Sequence, residues 1–256
     1  MENNNLIAIK SLLSQENVVQ KMTQILGRNA SAFLSSVSVL AQTTELKDCD
    51  KMSILSAAIA AASLNLQVNP NLGQACIIPY NNKTGKVAQF QIMKKGFIQL
   101  AQRSGVFLTI NEVIVYEGEY QVIDKLSGKF DLNGTKTSET IIGYAAYFEL
   151  INGFSKSLYM TKQEVEKHGL RFSKTYKKGY GNWKDSFDDM ALKTVLKLLL
   201  SRYAPLSSDM QLNNAMQFDQ AKLGLSEDLE ITQVEYVDND EKPEQTDPEN
   251  IKPIKR

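Results

Sequence analysis

Histidine and cysteine are almost missing from this chain of 256 residues: it has one histidine, His168, and two cysteines, Cys49 and Cys76, neither of them in a Cys-x-x-Cys. So small a set can assemble neither a Cys/His metal cluster nor a disulfide framework, and two lone thiols fit a reducing cytoplasm. Long apolar runs are missing too. The best of them, Ile54 to Leu64, is broken by serines, and the polar stretch Met1 to Asn5 lacks the basic and apolar regions of a secretion signal, so neither export nor a membrane span is expected. Thr84-Gly85-Lys86 has neither the earlier glycine nor the following hydroxyl residue of a P-loop, and Gly179-x-Gly181 lacks a third glycine. No nucleotide, metal or other cofactor is therefore expected, and no ATP hydrolysis.

A further absence points somewhere. The formal net charge is zero, yet from Lys51 through Asn111 there is no acidic residue, while Lys51, Lys83, Lys86, Lys94, Lys95 and Arg103 all fall there. A second stretch, Lys156 to Arg202, holds 11 basic against 5 acidic residues. In its middle the cations alternate with rings: Arg171, Phe172, Lys174, Tyr176, Lys177, Lys178, Tyr180, Trp183. Cations neutralise phosphates and flat rings stack on unpaired bases, a pairing that suits single-stranded nucleic acid better than duplex. The acids collect elsewhere. Residues 219–256 carry 11 of them against five bases, with Pro243, Pro248 and Pro253, a composition that predicts a disordered tail after a mildly basic body at 1–218.

Along the body the hydrophobic period changes twice. Leu6 to Leu13, Val18 to Leu26 and Phe33 to Leu40 read as helices, followed by an Ala-rich helix with Asp50 as N-cap and an end near Leu64, Asn65 and Leu66. Strand-length runs follow at Gln74 to Pro79 and Lys86 to Ile92, then a helix from Lys95 to Ser104. Further strands are expected at Val106 to Tyr116, Tyr120 to Lys125, Ile141 to Ile151 and Phe154 to Met160, the last two joined at Asn152-Gly153. Thr161 with Glu164 forms a capping box, and Asp185 to Tyr203 reads as a long amphipathic helix. The expected fold class is α+β: N-terminal helices, a central mostly antiparallel sheet with hairpins, C-terminal amphipathic helices and the acidic tail.

Two readings compete at each candidate. Lys193 and Lys197 lie four apart on the long helix, either facing phosphate or balancing a helix whose acids, Asp185, Asp188 and Asp189, sit at its positive end. Those three acids are the sole argument for a Mg²⁺ nuclease. No catalytic histidine or further acid motif accompanies them, and a helix-start role is the simpler one. His168 reads as a residue near a helix end rather than a base. Trp183 is expected to anchor its loop to the core, with the neighbouring lysines left for contact.

Three blocks, taken in series, bring a family into view: Met52-Ser53 through Leu64-Asn65-Leu66 to Pro79-Tyr80; Gln89 through Lys95-Gly96-Phe97-Ile98 and Leu100-Ala101 to Arg103-Ser104-Gly105; and Trp183 through Met190-Ala191 and Lys193-Thr194 to Pro205. With them the chain resembles the RecT family of phage single-strand annealing proteins over about residues 50–206. It departs from the family's pattern at Asn65, usually glycine, at Lys94-Lys95, usually an aromatic followed by Arg, and at Leu198, where a basic pair is usual.

The resemblance implies annealing of complementary DNA strands without ATP during homologous recombination, by a homo-oligomer in rings or helical filaments. The implied partners are single-stranded DNA, the annealed duplex intermediate, a phage exonuclease and the host single-strand binding protein, with the tail recruiting the protein partners. No catalytic residue is implied. The alternative is a passive single-stranded nucleic-acid-binding protein without annealing activity. The phosphate-contact candidates are Lys94, Lys95, Arg103, Arg171, Lys174, Lys177, Lys178, Lys193, Lys197 and Arg202, and the stacking candidates are Tyr176 and Tyr180.

Overall fold

The computed structural model describes residues 9–82, 85–124, 126–206 and 210–236. Residues 9–13 are helical and lead into α1 (Glu16–Leu26) and α2 (Ala30–Leu40), each burying a single stripe at helical spacing, Val18, Met22 and Leu26 on the first and Ala30, Phe33 and Val37 on the second. The next helix, α3 (Lys51–Ser63), is buried at every residue from Ile54 to Ala62. Its run of alanines leaves little side-chain bulk on any face, which lets neighbouring elements close around it. The Asp50 carboxylate accepts the Ser53 N–H at 2.8 Å, as its N-cap role requires. At the other end Asn65 adopts φ 48° and the Leu66 N–H donates to the Ala61 carbonyl at 2.9 Å.

The sheet residues form hairpins. β1 (Ala75–Asn82) and β2 (Gly85–Ile92) pair antiparallel and pack on α3, and Lys83 and Thr84 between them lie outside the described residues. After α4 (Lys94–Ser104) comes β3 (Phe107–Tyr116), then a small two-stranded arm, β4 (Gln121–Asp124) and β5 (Lys129–Asp131). β6 (Ile141–Leu150) and β7 (Ser155–Thr161) complete a three-stranded antiparallel sheet in the order β3-β6-β7. The turn between them is the expected Asn-Gly: Gly153 has φ 83° and the Phe154 N–H donates to the Asn152 side chain at 2.9 Å. The arm is tied to β7, since the Lys156 ammonium donates to the Ser127 carbonyl at 2.7 Å and Tyr120 stacks on Tyr159.

The remaining helices close the body. α5 (Lys162–Phe172) opens with the full Thr161/Glu164 capping box. Two single turns, α6 (Lys174–Lys177) and α7 (Asn182–Asp185), flank Gly179 and Gly181 where the sequence predicts a loop, with φ 80° and 89° at the two glycines. The long helix α8 (Phe187–Tyr203) packs across the three-stranded sheet; it begins after Asp185 because Ser186 takes an extended φ of −141°. Then come α9 (Met210–Phe218) and a hairpin of β8 (Ala221–Leu225) and β9 (Ile231–Tyr236). The protein is α+β.

That last hairpin corrects one expectation. Composition predicts a disordered acidic tail from residue 219 onward, yet Asp219 is buried, and Leu223, Leu225 and Ile231 pack on the core beside α3 and β2. Net charge conceals these alternating apolar positions. The rest of the acidic segment, residues 237–256, lies outside the described residues.

Candidate nucleic-acid interface

A cleft of about 450 Å³ opens between the β1–β2 hairpin on one side and α5 to α8 on the other. Tyr80, Gln89 and Gln91 line it from the hairpin, and Phe172, Lys174, Asn182 and Trp183 from the helices. Its floor is α8, which contributes Lys193 and Lys197, together with Asp219 and Gln220 beyond α9. Lys174 stands 5.7 Å from the Tyr80 ring, so a cation from the helical wall faces an aromatic ring from the hairpin. Cations and rings thus line one hollow, the combination that a strand with unpaired bases engages.

Trp183 is buried, as expected, and the reason lies on α5. Gly169 leaves its side of the helix bare, and a Cβ there would sit 2.8 Å from the indole. Tyr176 lies 5.8 Å from the Trp183 ring and 6.3 Å from Phe187, so this stacking candidate is partly committed to the core. Tyr180 is exposed. His168 also lines the cleft, against Phe172; burial, then Lys197, Arg171 and Arg202, push its imidazole down to about 4.

The expected phosphate contacts divide by what surrounds them. Lys95, Arg171, Lys177, Lys178 and Arg202 are exposed, with Arg171 lying over the Phe172 ring. Lys174 faces Tyr80 in the cleft. The others hold the fold together. Lys94 sits 3.3 Å from Glu112 and 3.7 Å from Asp189, joining α4 to β3 and α8. Arg103 donates to the Leu64 carbonyl at 2.7 Å and to that of Asn65 at 3.3 Å, capping α3 from outside. Lys193 and Lys197 both turn inward to Asp219, at 3.5 Å and 2.5 Å. Burial acts to raise the Asp219 pKa, but the two lysines outweigh it and hold the carboxyl below its ordinary value.

The three acids that could argue for a metal site are each engaged separately. Tyr144 donates its hydroxyl to Asp188 at 2.6 Å, Asp189 pairs with Lys94, and Asp185 is exposed at the end of α7. Among the described residues no group of three or more His, Cys, Asp or Glu side chains is placed to hold a metal ion.

The sequence profile described as the RecT family matches residues 31–243. The chain belongs to the RecT family. It is similar to the uncharacterized protein YqaK of Bacillus subtilis (strain 168), 40% identical over an aligned length of 257 positions that covers 96% of this chain and 87% of that protein. It is also similar to Protein RecT of Escherichia coli (strain K12), 26% identical over an aligned length of 215 positions that covers 78% of this chain and 77% of the relative.

Seen in three dimensions, the RecT blocks meet one another. Arg103 of the second block closes the helix end at Leu64 and Asn65 of the first, and Lys94, within the second, reaches Asp189 within the third. Gly96 fits directly against the Gln74 carbonyl, where any Cβ would overlap it. What sequence reasoning missed on the cleft is Tyr80 and Asp219. Tyr80 carries no charge signal, and Asp219 is absorbed into the acidic run that follows it.

Proposed function

We propose that this RecT-family chain binds single-stranded DNA along the cleft and its basic rim, and anneals complementary strands without ATP, acting as a homo-oligomer. The observation that carries this reading is the pairing of Lys174 with Tyr80 across a cleft that also holds Phe172 and Trp183. A strand laid there has its phosphates neutralised while its bases stay accessible to a complement, so proximity replaces any nucleotide-driven step. Exposed Lys177, Lys178 and Tyr180 extend the same chemistry outside the cleft. The duplex product is the intermediate handed on in recombination.

The test mixes two complementary dye-labelled oligonucleotides, bare or coated with host single-strand binding protein, with this protein and no nucleotide, and follows duplex formation. Accelerated pairing supports annealing. Binding without acceleration makes the protein a passive strand binder, and no binding rejects the nucleic-acid reading.

The acidic segment after Tyr236 is proposed to recruit the exonuclease or the host single-strand binding protein. Removing residues 237–256 should then leave annealing intact and abolish that capture. Cutting at 219 is the wrong test, because it takes away the carboxylate on which Lys193 and Lys197 close.

A further inference from the structure

Lys193 and Lys197 are one helical turn apart on α8 and point at a single carboxylate from a distant part of the chain. Asp219 is 1% exposed, and its two oxygens take both ammonium groups and the Ile92 N–H, the last at 3.0 Å. The next residue is fastened to the same strand: the Gln220 N–H donates to the Phe90 carbonyl at 3.1 Å, and the Gln220 carbonyl accepts from the Gln89 side chain at 2.5 Å. Gln220 holds φ 67° to do so, a left-handed conformation unfavourable for a residue with a Cβ. Asp219 and Gln220 therefore form a latch that secures the start of the β8–β9 hairpin to β2.

The latch sits inside the cleft, not behind it, since Asp219, Gln220, Lys193 and Lys197 all line it. Two ammonium groups against one carboxylate leave an excess positive charge in a poorly solvated place, and such a charge favours a further anion. A phosphodiester, with its two non-bridging oxygens on one anionic group, presents to two convergent cations the same pair of acceptors that the Asp219 carboxylate does. A strand entering the cleft brings a phosphate to the very groups Asp219 now occupies.

We infer that Asp219 is a built-in competitor filling the seat of one phosphodiester, and that strand entry displaces it and releases the 219–236 segment from β2. The inference rests on the single-strand-binding reading above and adds to it a coupling between the cleft and the C-terminal hairpin. Coupling is reciprocal, so a strand that opens the latch is in turn bound more tightly when the latch is open. Lys193 and Lys197 contact phosphate only in the released state, which reconciles their pairing with Asp219 with a place in the cleft.

Hydrogen exchange on the full chain, with and without a saturating oligothymidylate, tests it. Saturation is established beforehand by anisotropy of a labelled strand. The amides of Ile92 and Gln220 and those of β8 are expected to exchange at least about tenfold faster with strand bound, a rise within the usual five- to 150-fold span of site coupling. Unchanged or slower exchange at these amides, with strand bound, overturns the latch and leaves strand binding standing. Failure of the strand to bind removes the reading on which the latch depends. The variant Asp219→Asn keeps the side chain's shape and is expected to bind oligothymidylate at least about fivefold more tightly. Affinity at or below that of the parent, in a variant whose circular dichroism is native, overturns the inference; should the variant not fold, exchange on the parent protein decides alone.

Discussion

The Arg103 guanidinium donates to the Leu64 carbonyl at 2.7 Å, forming a cap for α3 from a side chain 39 residues further along the chain. Orphan carbonyls at a helix end need such partners, and here the donor is also charged. Arg103→Ala should therefore lower stability by about 1.5–3 kcal/mol, the usual worth of a hydrogen bond to a charged group. Urea denaturation read by circular dichroism checks this, and an unchanged midpoint would show that the cap adds nothing to stability.

Asp188 is expected to matter for folding. Tyr144 is fully buried and its hydroxyl donates to Asp188 at 2.6 Å; burial first, then this bond, hold the phenol protonated far above its ordinary range. Asp188→Ala should cost about 1–3 kcal/mol by leaving that hydroxyl without its acceptor. Adding Tyr144→Phe should restore part of that stability, and a double-mutant cycle on thermal midpoints isolates the pair. No strand shortening is expected when Mg²⁺ is added to the parent protein.

Stability should depend on pH through His168. In the unfolded chain the imidazole titrates at about 6.5, whereas the fold pushes it down to about 4 through burial and the cations Lys197, Arg171 and Arg202. The neutral form is thus the native one. Stability from this source is complete above the unfolded value, falls as pH drops from there toward the folded value because the unfolded chain takes the proton first, and falls no further below it. His168→Gln should flatten the curve in that window. Urea midpoints at pH 7 and pH 5 for both proteins make the comparison, and equal pH dependence would reject it.

Exposed and buried lysines should respond to substitution in different ways. Lys177→Ala with Lys178→Ala should leave stability untouched while lowering the salt slope of strand binding by about 0.7 for each phosphate that is no longer neutralised. An unchanged slope would exclude this pair from the interface. Lys193→Ala should instead lower stability, because Asp219 is left with one counter-ion in place of two.

Gly169→Ala places a methyl group 2.8 Å from the Trp183 ring, closer than packed atoms allow. Overpacking of this kind costs about 1–3 kcal/mol. The thermal midpoint should fall accordingly, and an unaffected midpoint would mean that α5 and α7 can move apart at little cost.

Where the fold is legible in the sequence, its determinants are local. Asp50 caps residue Ser53 three positions on, Thr161 and Glu164 cap each other across three, and Asn152-Gly153 turns a hairpin within two residues. Each is fixed by neighbours that a short window contains. The site is less legible because its charges are defined by partners far away. Nothing near Lys197 announces a carboxylate 22 residues later, and nothing near Arg103 announces the helix end it caps. A basic side chain in an acid-poor stretch looks free for phosphate until the chain folds and delivers Glu112, Asp189 or Asp219 to it. The same blindness, in the opposite sense, hides the hairpin of β8 and β9 inside a run counted only for its acids.

Trp183 is the chain's single tryptophan, and it lines the cleft while remaining 7% exposed. The molecule therefore carries an intrinsic optical probe at the place where a strand is proposed to lie, with no second indole to dilute the signal. Emission excited selectively at this ring reports on the cleft wall alone, so occupancy can be followed in the unlabelled, unmodified protein, independently of anything attached to the nucleic acid.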